Sequence, residues 1–276
     1  MTNVLKADLF NLRRGKALYL LLGGAILSGI LMPLLYYGMF EFLKFLQTNE
    51  SLLEIEELQK MLTSLEGITS YVNADRIFLM ILPMAEGFGL IICGAVCFYN
   101  ARQFANGVIR NKLVAGKSRF SVYMSMLITS VIMTVAAAVI HLLSAALFSV
   151  IFFGKFTTPA GDLIMIIVIT ILVYTVYSAI ATFFAFTTKN VPASLVICIV
   201  LPIITNTVFS LLGTIASTLP DFILPLFAVL PTMQSILVLN GVLGTRILVV
   251  SILADTAWIV VLSLIGILKF KKTDIN

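Results

Sequence analysis

Residues 121–153 read SVYMSMLITSVIMTVAAAVIHLLSAALFSVIFF, a run that contains no Lys, Arg, Asp or Glu. The apolar stretch from Val122 to Gly154 covers roughly 33 residues, or about 50 Å as an α-helix. A hydrocarbon core of about 30 Å needs about 20 apolar residues for each helical span. The run is too long for one straight span and too short for two, so it predicts one long helix that is tilted or broken.

The rest of the chain has the same apolar character. Its 276 residues are 60% hydrophobic and only 11% charged, and the mean hydropathy is +1.10, whereas soluble domains have about 25% charged residues. We therefore expect a single all-α membrane domain over residues 1–276, with no catalytic domain. The net charge of +5 comes from basic residues that flank apolar segments, so nucleic acid is not an expected partner. Three cysteines in apolar runs indicate neither a disulfide nor a metal site.

The hydropathy pattern divides the chain into about six spans. They are predicted at residues 17–40, 77–99, 121–153, 162–187, 194–217 and 247–270. Residues 1–16 predict an amphipathic helix in the membrane interface, with a merely basic flank as the alternative. Residues 41–76 predict an extracellular helical arm, since Ser51 and Glu54 form a capping box. Residues 218–246 are interrupted by Pro and Gly and predict short extracellular or re-entrant helices.

The distribution of Lys and Arg predicts the orientation in the membrane. If both termini are inside, thirteen of the 18 basic residues lie on the inner side. This asymmetry satisfies the positive-inside rule, and the inverted topology would violate it. We therefore expect cytoplasmic N and C termini and a cytoplasmic loop over residues 100–120, between the second and third spans.

This loop combines basic residues with apolar residues at helical spacing. The apolar positions are Phe104, Val108, Ile109, Leu113 and Val114. An amphipathic helix parallel to the membrane would present Arg102, Arg110 and Lys112 to water or to a partner. The alternative interpretation is a basic anchor that contacts anionic headgroups.

A phosphate-binding loop is excluded, although Gly116-Lys117-Ser118 looks like the end of one. That motif needs a Gly where this chain has Asn111, and no strand precedes it. We therefore expect no ATP binding by this chain.

The string Phe104-x-Asn106-Gly107-x-x-Arg110-Asn111-Lys112-Leu113, followed by Gly116-x-Ser118-Arg119, resembles the cytoplasmic loop of ABC-2 type transporter permeases. The resemblance includes small bacterial permeases of lantibiotic immunity and bacitracin export. The pattern of Met1 to Leu22, the six spans and the irregular segment before the last span extend it over the whole chain. The family usually has an acidic residue at the position of Gln103 and Thr at that of Val108.

The resemblance implies a permease subunit of an ATP-driven exporter in the bacterial plasma membrane. The loop would then be a coupling helix that docks into a separate ATPase subunit, and that subunit would bind ATP and Mg²⁺. A second permease chain, identical or related, would complete the path of an amphiphilic substrate such as an antimicrobial peptide or drug. The implied coupling residues are Arg102, Gln103, Phe104, Asn106, Gly107, Arg110, Asn111, Lys112, Gly116 and Arg119.

Polar residues inside the predicted spans are candidates for a substrate path. Glu86 and Asp255 fall at similar depth, and a charge near the bilayer centre costs at least about 2.5 kcal/mol. They could line a cavity for a cationic or amphiphilic substrate, or they could make structural hydrogen bonds. His141 is the single histidine and is either packed in the protein or active in proton or substrate binding.

Two other function classes compete with the exporter subunit. A secondary transporter or channel could use Glu86, Asp255 and His141 as an ion or proton relay, although no internal repeat is evident. An intramembrane enzyme is disfavoured because the chain has no HExxH and no GxSxG motif. The acidic residues of the predicted arm would favour cationic substrates, or they could serve only solubility. These residues are Glu41, Glu50, Glu54, Glu56, Glu57, Glu66 and Asp75.

Overall fold

The computed structural model describes residues 2–48, 73–216, 228–231, 233–234 and 245–272. All regular structure in these ranges is helical. The helices are α1 (Thr2–Arg14), α2 (Lys16–Thr48), α3 (Ala74–Ala105), α4 (Val108–Val114), α5 (Arg119–Phe153), α6 (Ala160–Thr188), α7 (Val191–Ala216) and α8 (Thr245–Lys272). The predicted all-α class is confirmed for this part of the chain.

Five helices are long and apolar enough to cross a membrane. Within the described ranges the apolar stretches are Lys16–Leu46, Gly87–Ala105, Arg119–Phe153, Ala160–Thr188 and Ile247–Lys272. α7 contains a shorter one, Val191–Thr205. The chain is therefore a membrane-embedded helical protein with five candidate spans, where the sequence predicts about six.

α5 and α2 are the two longest of the described helices, and both are longer than a bilayer requires. α5 is an unbroken helix of 35 residues; the Ser118 hydroxyl caps it by accepting a hydrogen bond from the Ser121 amide at 3.2 Å. α2 has 33 residues and continues to Thr48, beyond the predicted end of the first span at residue 40. Residues 49–72 of the predicted arm, with its capping box, and most of 218–246 lie outside the described residues.

The helices pack around α6. It contacts α3, α5, α7 and α8, and α2 packs against α3 and α5. Of the 18-residue apolar segment in each helix, 56% is buried in α6, whereas only 22% is buried in α2 and 17% in α8. The exposed side chains of α2 and α8 are largely Leu, Ile and Val, so these two helices offer the protein's apolar surface to surrounding lipid.

At the end of the bundle opposite α4, Asp75 at the start of α3 is hydrogen-bonded to the connection between α5 and α6. One carboxylate oxygen accepts hydrogen bonds from the Thr157 amide (2.7 Å) and hydroxyl (2.6 Å), and the other accepts one from the Thr158 amide (3.0 Å). Asp75 is therefore not free to attract cations as the acidic-arm hypothesis expects. Glu41 pairs with Lys44 at 2.9 Å, and the acidic residues from 50 to 66 lie outside the described residues.

These hydrogen bonds predict a pH dependence. Burial alone raises the pKa of Asp75, but the hydrogen bonds from Thr157 and Thr158 outweigh it and lower the pKa below the ordinary 3.8. The carboxylate therefore stabilises the fold at pH values above 3.8, and this contribution is lost as the pH falls through the lower folded-state value. We expect Asp75→Asn to lower Tm at pH 7 and the difference from wild type to shrink below pH 4.

The matched control for this prediction is Asp162→Asn, which changes an exposed carboxylate in the first turn of α6. Thermal unfolding from pH 7 to pH 3 measures all three proteins. A Tm difference between wild type and Asp75→Asn that is constant over this range would contradict the prediction.

Candidate functional site

The basic loop, residues Gln103–Arg119, comprises the last residues of α3, the short helix α4 and the first residue of α5. Gly107 has a φ of +68° and separates α3 from α4, and Gly116 has a φ of +75° after α4. Positive φ is accessible to Gly at low cost, so these two residues allow the chain to reverse within a few positions. The short helix α4 is thereby held across the end of the bundle.

The apolar face of α4 is buried in an aromatic cluster. Ile109 is buried in one hydrophobic cluster with Tyr123 of α5, Phe186 and Phe270. The Phe104 ring lies 5.0 Å from that of Phe186 in an edge-to-face arrangement, and the Phe186 and Phe270 rings are 4.9 Å apart. The ends of α3, α6 and α8 therefore meet beneath the loop.

Arg119 ties the loop to the C-terminal end of α8. Its Nη1 donates to the carbonyl oxygens of Phe270 and Lys271, both at 2.8 Å. Carbonyl groups at a helix C-terminus lack helical partners and carry partial negative charge, so a guanidinium is a suitable donor for them. Arg119 therefore has an intramolecular role at one end of the basic loop.

A second set of contacts holds the loop to the bundle. It is an ion-pair cluster that consists of Asp8, Tyr99, Gln103, Lys112 and Ser125. The Lys112 ammonium binds one carboxylate oxygen of Asp8 and also donates to Gln103 Oε1 at 3.1 Å. The Ser125 hydroxyl donates to the second Asp8 oxygen at 2.6 Å. The Tyr99 hydroxyl donates to the Asp8 backbone carbonyl at 3.3 Å. Helices α1, α3, α4 and α5 are joined at this point.

The ion-pair cluster corrects the expected orientation of two residues. Lys112 does not extend to water: only 13% of its side chain is exposed, because the fully buried Asp8 carboxylate attracts it inward. Gln103 is also buried, at 8% exposure. Asp8 itself was not a predicted site residue. Its single sequence signal is that it is the one acidic residue in α1, four positions from Val4 and from Leu12, which are buried on the same face.

The outer face of the basic loop remains accessible. It bears Asn106, Arg110, Asn111, Val114, Gly116 and Lys117, all exposed; Arg102, immediately before the loop, is exposed as well. Val114 is an apolar residue on this face, and it is 82% exposed. A surface cavity of about 500 Å³ is lined by Arg110, Leu113, Val114, Lys117, Ser118 and Arg119.

The candidate substrate-path residues lie in different surroundings. Asp255 is fully buried and accepts a hydrogen bond from Gln234 Nε2 at 2.9 Å. The same Gln234 nitrogen donates to the Ala228 carbonyl at 2.9 Å, so α8 is joined to the preceding segment. Glu86 falls within α3, but its side chain lies outside those described.

His141 is packed between helices. Its Nδ1 shares a hydrogen bond with the Ser28 hydroxyl at 2.9 Å, and its ring stacks on Phe88 at 4.2 Å. Only 2% of the residue is exposed. Among the described side chains no hydrogen bond joins His141 to Asp255, and no three His, Cys, Asp or Glu residues are grouped so as to hold a metal ion.

Compared with known proteins, the sequence matches no family model and no curated protein. The interpretation of the site therefore rests on its geometry.

Proposed function

We propose that this chain is the membrane permease subunit of an ATP-driven exporter, and that the outer face of the basic loop is the docking site for a separate ATPase subunit. The observation that carries the proposal is that one face of α4 is packed against the membrane helices while the opposite face is exposed. Its buried face belongs to one hydrophobic cluster with residues of α5, α6 and α8, while Arg110, Val114 and Lys117 are exposed. A loop that served only as a membrane anchor would need the basic residues but not these contacts with the membrane helices.

The polar contacts of the basic loop provide a route for mechanical coupling. Lys112 joins α4 to α1 through Asp8, and Arg119 joins the start of α5 to the end of α8. A partner that displaced α4 would therefore move the ends of several membrane helices together. Such a partner drives transport only if it binds two permease conformations with different affinities.

The proposal includes six spans and cytoplasmic termini. α7 has 26 residues, which is about 39 Å of helix and enough to cross a bilayer. The excess of Lys and Arg on the loop side supports a cytoplasmic basic loop. The substrate would be amphiphilic, such as an antimicrobial peptide or drug, and a second permease chain would complete its path in the bacterial plasma membrane.

The relay alternative receives less support from the described residues. Asp255 is hydrogen-bonded to Gln234, and His141 to Ser28 and the Ala25 carbonyl. None of these described hydrogen bonds links Asp255 and His141 into a chain, and His141 Nε2 makes no hydrogen bond with a described residue. A relay needs successive groups within hydrogen-bond reach. For this reason we favour the exporter subunit.

Arg110→Glu tests the docking surface. The side chain is exposed, so the change should leave Tm unaltered, yet it should weaken ATPase association by at least about tenfold because it reverses charge at the contact. The measurement is co-purification of the full chain from its native membrane in mild detergent, with the vanadate-sensitive ATP hydrolysis of the complex as a second readout.

Lys6→Glu is the matched control, since it reverses an exposed charge on α1, outside the basic loop. It should retain the ATPase subunit. Equal retention of an ATP-hydrolysing partner by the Arg110→Glu variant and by wild type, or no such partner with wild type, would refute the docking assignment.

A further inference from the structure

A groove of about 980 Å³ opens beside the ion-pair cluster, between the junction of α1 with α2 and the junction of α3 with α4. Its walls along α2 and α3 are mainly apolar and include Leu20, Leu21, Ile91, Ala95 and Phe98. Its polar lining lies where α2 begins and α3 ends, and it consists of Asn11, Lys16, Tyr99, Arg102, Gln103 and Asn106. The groove is thus polar at the loop end and apolar along the membrane helices.

Gln103 lines this groove, and its side-chain amide includes a buried hydrogen-bond donor. Its Oε1 accepts from Lys112 at 3.1 Å, which fixes the orientation of the amide, since the ammonium group can only donate. The amide nitrogen Nε2 is therefore on the other side, and it makes no hydrogen bond. The nearby Tyr99 hydroxyl donates its proton to the Asp8 carbonyl; its oxygen interacts with the Gln103 side chain, although no hydrogen bond of normal geometry joins it to Nε2. A buried donor without an acceptor is costly.

Two cations stand at the same end of the groove. Lys16 and Arg102 are exposed, and neither forms an ion pair with another described residue. The Arg102 guanidinium lies 5.7 Å from the Phe98 ring centroid, at the border between the polar and apolar linings. The described lining contains no carboxylate. The complementary ligand has a negative group at one end and hydrocarbon at the other.

We propose that this groove binds a phospholipid with an anionic headgroup. The phosphate would lie between Lys16 and Arg102, beside the Gln103 side chain, and an acyl chain would follow Leu20 and Ile91. Charge complementarity and the continuation of the apolar wall along two candidate spans identify a lipid rather than a soluble anion. The bound lipid would connect the α1–α2 junction to the basic loop. The inference needs only a membrane location and does not depend on the proposed ATPase partner.

Lipid titration of the full chain in an uncharged detergent tests the site, with bound lipid counted by native mass spectrometry. Phosphatidylglycerol should bind at one preferred site and phosphatidylcholine should bind there more weakly. The double variant Lys16→Gln/Arg102→Gln should weaken phosphatidylglycerol binding by roughly thirtyfold, about fivefold for each charge. Gln103→Glu, which keeps an oxygen for Lys112 but removes the donor, should also weaken it.

The matched control is Lys6→Gln/Arg110→Gln, which removes two exposed charges that do not line the groove. It should change lipid affinity less than about twofold, and a loss equal to that of the groove variant would overturn the proposal. Equal binding of the two lipids would overturn it as well, and so would displacement of phosphatidylglycerol by inorganic phosphate at equal concentration. If Gln103→Glu lowers Tm, the exposed Lys16 and Arg102 variants alone decide the test.

Discussion

Lys112→Met is expected to lower the free energy of unfolding by about 3–5 kcal/mol, because it leaves the fully buried Asp8 carboxylate without its cation. The Ser125 hydroxyl would remain as a donor, but one neutral hydrogen bond does not replace an ammonium group. For a chain of this size, this loss corresponds to a fall in Tm of roughly 10 °C.

The two partners of the pair should differ in effect. Asp8→Asn leaves Lys112 without its carboxylate, but the long Lys112 side chain is already 13% exposed and can extend to water. We therefore expect Asp8→Asn to cost less than Lys112→Met. The double variant should be more stable than Lys112→Met alone, because it contains no unpaired buried charge.

Thermal unfolding followed with a thiol-reactive dye measures these differences, since Cys93, Cys97 and Cys198 are all free and buried. Lys44→Met is the matched control: its pair with Glu41 is exposed, with side-chain exposures of 53% and 46%, and such pairs contribute about 0–1 kcal/mol. Equal Tm values for Lys112→Met and Lys44→Met would show that the buried pair does not stabilise the fold.

The pair also shows where sequence reasoning reaches its limit. The apolar spacing of the basic loop predicts a helix there, and the structure has α4 over Val108–Val114 with Ile109 buried. The direction of Lys112 depends on Asp8, which lies 104 positions away in the chain. The spacing of Asp8 from Val4 and Leu12 places it on their face of α1, but nothing local indicates that Lys112 will be its partner.

The same limit applies to the membrane helices: the local sequence predicts that they form, but not how they pack against one another. Long apolar runs suffice to predict helices, because a bilayer leaves the backbone no other partner than itself. The packing of His141 on Ser28 and Phe88 follows from the arrangement of α2, α3 and α5. Depth counted along one helix cannot reveal that arrangement: it gives Glu86 and Asp255 a similar depth but does not indicate which side chains they contact.

The contact of α2 with α5 depends on the absence of a side chain at Gly29. A Cβ there would lie 2.8 Å from the His141 carbonyl oxygen and 3.0 Å from the Ala145 amide nitrogen, and it would overlap the Ser144 hydroxyl. Two of these are backbone atoms, which cannot rotate aside. Close helix approach through a small residue is a common source of stability in membranes.

Gly29→Ala is therefore expected to cost about 1–3 kcal/mol, because the two helices must separate. The separation would also lengthen the hydrogen bond between Ser28 and His141, now 2.9 Å. Gly23→Ala in the same helix is the matched control: its Cβ would meet nothing within 4 Å, and Ala favours a helix over Gly by about 0.5–1 kcal/mol. The same chemical change should thus lower Tm at Gly29 and maintain or raise it at Gly23. A common Tm shift for both variants would mean that helix propensity, and not the approach of α2 to α5, determines the effect.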